Sequence, residues 1–260
     1  MTDQSSHFPK FYMTAPSPCP YLEGKHERKV FTELKDDKLS YDRKTILEHF
    51  NSGTPTDYSI RLNHSLTLVG FRRSQDIAYR PACENCQECK SVRVPVVLFN
   101  RTKSQNRIFN KNKDLTIEIK ANIATDEQFE LLKKYIDDRH DDGGMSSITI
   151  EEYKDMVESS LINTNIIEYR QEDGTLIAAT LTDQMSDSLS MVYSFFDVSK
   201  SMNKRSLGVF MVLSHIELAI TKELDHVYLG YWVKNSPKMN YKFNFKPLEV
   251  LISDGWNLIK

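Results

Sequence analysis

Three cysteines, Cys83, Cys86 and Cys89, stand in a C-x2-C-x2-C run, and the only other one, Cys19, lies in Ser-Pro-Cys-Pro-Tyr-Leu near the N-terminus. Two-residue gaps let neighbouring thiolates turn back onto one ion or cluster, as in zinc ribbons and ferredoxin runs. Adding Cys19 makes a four-thiolate set that ties the N-terminal segment to the loop and suits structural zinc or an iron–sulfur cluster. The plainer alternative is that the four are small buried hydrophobes. A disulfide framework is disfavoured, because a chain of 260 residues has core enough to fold without such staples.

The same stretch is basic. Between Arg72 and Lys113 stand ten basic residues (Arg72, Arg73, Arg80, Lys90, Arg93, Arg101, Lys103, Arg107, Lys111, Lys113) and three acids (Asp76, Glu84, Glu88), a balance of +7 in a chain of net charge −2. A solvated face explains most basic runs. Here the charge is interleaved with Phe71, Tyr79, Phe99 and Phe109. Positive charge suits phosphates and aromatic faces suit unpaired bases, so a nucleic acid held at one local patch is the expectation. Near-neutral net charge argues against wholesale coating of nucleic acid.

The elements that must position these groups follow from periodicity. Residues 1–20 carry Pro9, Pro16, Pro18 and Pro20 and read as irregular. Lys29–Leu34 reads as a strand and Tyr41–Phe50 as a helix. Leu62–Phe71 and Ser91–Phe99 read as strands joined by the cysteine loop. Leu115–Ile119 alternates as a strand, Thr125–Asp138 is an amphipathic helix, and Arg139–Gly144 is a polar loop. Thr149–Ser159 has the makings of a capping box. Three strands follow at Ile166–Arg170, Leu176–Asp183 and Ser188–Asp197, then a helix over Ser206–Leu224, apolar on most sides and therefore buried. Val227–Val233 is a further strand before a short tail. A domain boundary is placed at residue 105, giving a cysteine-containing basic unit, 1–105, and a second unit, 106–260. No secretory h-region and no apolar run of about 18 residues stand in the sequence, so a cytoplasmic chain without a membrane partner is expected.

Two helices, a three-strand meander, a buried helix and a strand make an α+β order with an antiparallel-rich sheet, the layout of acetyltransferase-type acyltransferases. In that type the buried helix opens on a phosphate-holding turn. Here the turn reads Arg205-Ser-Leu-Gly208, followed by bulky Phe210 where a pyrophosphate would need a small residue.

Collinear stretches then resemble one family, the aminoacyl-tRNA–protein transferases, and within it the bacterial aspartate/glutamate leucyltransferase branch. They are Cys19-Pro-Tyr-Leu, Gly70-Phe-Arg-Arg-Ser, Tyr79-Arg-Pro-Ala-Cys83 with Cys86 and Cys89, Arg93-Val-Pro-Val, Ser104-Gln-Asn-Arg107, and Arg139-His140 with Asp142-Gly143. Ser190-Met-Val-Tyr193 with Phe195-Phe-Asp197, Arg205-Ser-Leu-Gly208, Tyr228-Leu-Gly-Tyr-Trp232, Lys238-Met-Asn-Tyr-Lys242 and Asp254-Gly-Trp256 complete the set. Two departures are mild: Arg101-Thr-Lys103 replaces an arginine pair, and Asp-Asp-Gly-Gly follows His140. The resemblance implies two acetyltransferase-like (GNAT-like) halves and transfer of leucine from leucyl-tRNA to proteins with N-terminal Asp or Glu, a mark for degradation. It also links the cysteines to an iron–sulfur cluster in eukaryotic relatives. The runner-up within the family is arginine transfer. Outside it stand an acyl-CoA acetyltransferase and a non-enzymatic metal-containing RNA-binding module. DNA is not an expected partner.

An aminoacyl ester is already activated, and an α-amine of pKa about 7.7–8.0 is partly neutral at pH 7, so positioning rather than a strong base should carry the reaction, with no cofactor in the transfer itself. Asp183 is the choice for holding the amine, and Tyr193 and Tyr231 for donating hydrogen bonds, against the plainer role of core aromatics. Arg72, Arg101, Lys103, Arg107, Lys111 and Arg205 are the tRNA-phosphate candidates. A cation must meet the acceptor's carboxylate; Arg80 is the first choice, with Arg73 and Lys238 in reserve.

Overall fold

The computed structural model describes residues 9–35, 56–139, 147–234, 236–253 and 255–260. Within them the chain runs β1 (Tyr12–Met13), β2 (Ser17–Pro18), β3 (His26–Glu27), β4 (Lys29–Glu33), α1 (Asp57–Leu68), β5 (Arg72–Ser74), β6 (Ile77–Pro81) and β7 (Lys90–Pro95). Then come α2 (Lys103–Lys111), β8 (Thr116–Ala121), α3 (Asp126–Arg139), α4 (Ile150–Glu158), β9 (Thr164–Arg170), β10 (Leu176–Gln184) and β11 (Ser188–Phe196). Last are α5 (Leu207–Thr221), β12 (His226–Trp232), β13 (Leu248–Ile252) and β14 (Gly255–Ile259). The fold is α+β. An eight-stranded sheet has the order β14-β13-β7-β12-β11-β10-β9-β8, and β1-β4-β6-β5 form a smaller one. Only β11 and β12 pair in parallel within the large sheet. Strand β7 precedes residue 105 but lies between β12 and β13, so both units in sequence contribute to the large sheet.

Strand alternation makes the large sheet a middle layer. Ile167, Tyr169, Ala178 and Met191 face α5, packing with Leu207, Phe210, Met211 and Leu213. Their neighbours Ile166, Ala179, Leu181 and Phe195 face α3 and α4, against Leu132, Ile136, Tyr153 and Val157. A third cluster, with Leu34, Leu66, Phe71, Ala78 and Ile162, fills the space under the small sheet and α1. Helices α2 and α4 open on capping boxes, Thr102 with Gln105 and Thr149 with Glu152, which satisfy N–H groups that a helix start leaves bare. The capping box expected at Thr149 forms.

Three sequence expectations are corrected. The strand expected over Leu62–Phe71 is helix α1, with Thr56 Oγ1 accepting from Ser59 N. Its buried residues are Ser59, Asn63, Leu66 and Thr67, a helical stripe that is mostly polar, so hydropathy hides the 3.6 period. The cysteine loop consequently joins β6 to β7, and β5 with β6 forms a hairpin inside the basic stretch. The closing tail is the hairpin β13–β14. The helix expected over Tyr41–Phe50 and the segment His140–Gly144 lie outside the described residues.

Candidate active site

Strand β11 is irregular where it matters. Leu181 pairs with Tyr193 and Thr182 with Met191, so Val192 is an extra residue, a β-bulge. A bulge resets the alternation: Met191, Ser194 and Phe196 all turn toward α5, while Tyr193 and Phe195 pack toward α3. Beyond Ser190–Tyr228 the parallel register of β11 with β12 stops and the strands are no longer paired. Arg72 occupies this wedge, its Nη2 donating to Met191 O (2.9 Å) and Val192 O (3.1 Å). Gly230, at φ +78°, makes room for it: a Cβ there would sit 1.4 Å from Arg72 Nη1. Arg72 is thus committed to backbone acceptors that the bulge leaves without ladder partners.

Above the wedge lies a cavity of about 630 Å³, between the end of β11, the start of α5, the end of α3 and the segment after β12. Its floor is apolar, with Met191, Phe196, Leu207, Met211 and Val212. Its polar groups are Ser194, Asp197, Asn203 and Ser206, with Arg139 and Lys238 as the cations. Ser206 takes a left-handed conformation, φ 56°, where α5 begins. Val209 N and Phe210 N donate to Ser206 O (both 3.0 Å), which leaves the N–H groups of Leu207 and Gly208, two residues that line the cavity, without a partner inside the helix. Helix α5 carries the fully buried His215, whose Nδ1 meets Met211 O at 2.7 Å and Nε2 meets Thr182 Oγ1 at 2.8 Å. A carbonyl can only accept, so the proton resides on Nδ1; burial pulls the imidazole pKa down to about 4.

Of the residues chosen from sequence, Lys238 alone lines this cavity. Asp183 is buried, with Arg73 Nε on Oδ2 (2.8 Å) and Arg73 Nη2 and Thr164 Oγ1 on Oδ1 (2.7 and 2.8 Å). Arg73 also donates to Gln75 O. The expected amine holder and a reserve acceptor cation are thus paired with each other. Tyr231 donates its hydroxyl to Gly70 O or Tyr79 O (2.9 and 3.0 Å), and burial raises its pKa, as it does that of Tyr193. Arg80 is exposed, donates to Val69 O and lies over the Phe71 ring.

The basic candidates divide. Lys103, Arg107 and Lys111 are exposed along α2, while Arg101 lies over the Phe109 ring with Glu217 at 3.4 Å. Lys111 Nζ donates to Lys204 O and Asn112 Nδ2 to Arg205 O, fastening α2 to the turn that opens α5. Arg205 forks onto Asp114, whose carboxyl that bond holds below its usual range. The basic helix and the cavity mouth are therefore one continuous piece of structure.

The four cysteines lie on two neighbouring segments. Cys19 sits in the β2–β3 turn, its N–H donating to Lys25 O, and the other three lie in the β6–β7 loop. Cys89 is pushed up to about 12, first by burial and then by Cys19, Cys83 and Cys86. Lys25 Nζ lies 4.0 Å from Cys86 Sγ. The donor chemistry of four thiols on neighbouring segments is the kind that a thiophilic ion or cluster takes. The residues missed from sequence are Arg139 and Asp197. Both stand inside motifs that carry the resemblance, at the end of α3 and just after β11.

Two family models match the chain: arginine-tRNA-protein transferase, N terminus, over residues 17–107, and arginine-tRNA-protein transferase, C terminus, over residues 127–252. The chain is 49% identical to the aspartate/glutamate leucyltransferase of Parvibaculum lavamentivorans, over 98% of each chain. It is 47% identical to that of Brucella ovis, again over 98% of each. Among solved structures, FemX aligns over 92% of this chain and 84% of its own, with a TM-score of 0.46 at 9% identity.

Proposed function

The chain belongs to the arginine-tRNA-protein transferase family, and from that premise we propose that it transfers leucine from leucyl-tRNA to the α-amino group of proteins that begin with Asp or Glu, marking them for degradation. The observation that carries this from the geometry is the apolar-floored cavity at the start of α5, with basic α2 fastened to its rim. A leucyl side chain fits among Met191, Phe196, Leu207, Met211 and Val212, and the tRNA acceptor arm follows Lys103, Arg107 and Lys111 outward. A buried guanidinium of an arginyl group would need a carboxylate on that floor, and the lining acid, Asp197, stands at the end of β11 instead.

In the reaction the neutral α-amine attacks the ester carbonyl carbon. The C–N bond forms, the C–O bond to the ribose breaks, and a proton from the amine ends on the ribose oxygen. Donors for the developing oxyanion are the Leu207 and Gly208 N–H groups at the start of α5 and the Ser194 and Ser206 hydroxyls. Tyr193 and Tyr231 support the site from behind. Asp183 and Arg73 hold β10 to the β5–β6 hairpin. Cys19, Cys83, Cys86 and Cys89 hold a structural zinc ion or iron–sulfur cluster; bound, it supplies a staple across the β2–β3 turn and the β6–β7 loop. The work is done in the cytoplasm, where charged tRNA and nascent proteins meet.

The test is incubation with leucyl-tRNA, arginyl-tRNA or acetyl-CoA, each labelled in the transferable group, and peptides beginning with Asp or Ala. Label should pass from leucyl-tRNA to the Asp peptide. Transfer from arginyl-tRNA in preference, or from acetyl-CoA, would overturn the assignment.

A further inference from the structure

An acceptor beginning with Asp or Glu presents two opposite charges on neighbouring atoms, an α-ammonium and a side-chain carboxylate. Resting on the function proposed above, we infer that Asp197 receives the α-amino group while Arg139 and Lys238 together receive the carboxylate, so that the cavity reads the acceptor as a dipole. Among the described residues these three are the acid and the bases that line the cavity. Arg139 closes α3, with its guanidinium 5.9 Å from the centre of the Phe196 ring. Phe196 immediately precedes Asp197, and both line the cavity with Arg139.

Each arm is held but not used up. Asp197 N donates to Ile177 O (2.8 Å), and Asp197 Oδ1 accepts from Ser199 N (2.7 Å). No described residue is bonded to Oδ2, which is left to accept from an amine. Arg139 meets Asp138, its chain neighbour, at 3.4 Å, and both side chains are half exposed. Such a surface pair is weak enough for an incoming carboxylate to replace. Lys238, on the segment after β12, is exposed on the cavity rim. The other arginines proposed for this task are engaged elsewhere: Arg73 by Asp183, and Arg80 outside the cavity wall. An amine on Asp197 Oδ2 shares the cavity with the α5 N-terminus, which also lines it and would polarise the ester carbonyl of the donor.

The same cations could instead serve the terminal phosphates of tRNA, so the decisive measurement is acceptor binding without donor. Fluorescently labelled peptides beginning with Asp, Glu, Asn or Ala are titrated into the full chain and into Arg139→Gln, Lys238→Gln, the double variant and Asp197→Asn; leucyl-tRNA binding is measured alongside. The native chain should favour Asp over Asn. The double variant should shrink that preference about tenfold or more while leaving leucyl-tRNA affinity unchanged. Asp197→Asn should weaken all four peptides by a similar factor and leave the Asp-to-Asn ratio intact. A preference untouched by the double variant, or loss of tRNA affinity in its place, overturns the inference. Failure of the underlying activity has a different signature: Asp-over-Asn binding persists, but leucine does not reach the peptide.

Discussion

Arg72 and Arg73 are adjacent in sequence and identical in chemistry, yet they serve different acceptors. Arg72 reaches bulge carbonyls, and Arg73 reaches a carboxylate, with both side chains of that pair almost wholly out of solvent at 1% and 2% exposure. Removing one partner of such a pair leaves the other charge buried, at about 3–5 kcal/mol. Asp183→Asn and Arg73→Met should each lower the unfolding free energy measured by urea denaturation by an amount of that order. The double variant should lose far less than the sum; additive losses would mean the pair does not couple. Gly230 tests the wedge. Gly230→Ala adds the strain of positive φ and displaces Arg72, so a loss of about 2–4 kcal/mol is expected. Near-native stability would show that Arg72 is not held there.

Helix α5 is the element on which both the core and the cavity depend. Its mid-point His215 is the titratable group that packing has forced to be neutral. With a folded-state pKa of about 4 against an ordinary 6.5, the unfolded chain binds a proton below pH 6.5 that the folded chain refuses until about 4. Stability should therefore fall as pH drops through that window, by about 1.4 kcal/mol per pH unit for this one group. Comparing thermal midpoints at pH 7 and pH 5 for the native chain and His215→Gln checks it: the variant should start lower and change less. Equal acid sensitivity in both would assign the effect to other groups. Helix α2 has a different dependence, because its exposed face is basic and its inner face is fastened by Lys111, Asn112 and Gln105.

For the whole molecule, that fastening sets how charged tRNA should bind. If about four phosphates are contacted along α2 and the residues flanking it, the logarithm of affinity should fall with the logarithm of salt at a slope of about −3 to −4. Replacing Lys103 and Arg107 by Gln should flatten the slope. An unchanged slope would move the tRNA elsewhere, with Arg72 and Arg205 poor substitutes because both are spent on internal partners. At the same scale the cysteines should behave as a unit. Cys86→Ser should destabilise the small-sheet region about as much as losing two of them, since a site short of one thiolate loses most of its affinity. Small additive effects, with no bound metal in anaerobically purified protein, would return the four thiols to plain packing.

Much of this was legible along the chain because it is local. The C-x2-C-x2-C spacing, the cap at Thr149, the 3.6 period of α3, the apolar run of α5 and the alternation of β9–β11 are each set by residues close to one another in the chain. The family resemblance was legible for the same reason, as short motifs in order. Helix α1 was not, because the face it buries carries Ser59, Asn63 and Thr67, whose partners hydropathy does not see. Nor could the sequence say which arginines remain available to a ligand. Arg72 meets Met191 across 119 residues, Arg73 meets Asp183 across 110, and Arg205 meets Asp114 across 91. Charge is a property of one residue, whereas its neutralisation is a property of pairs that only the folded sheets bring together. That is why the basic segment announced a polyanion site from sequence, while only the tertiary structure separated Lys103 and Arg107, which still face solvent, from the arginines that bolt the sheets.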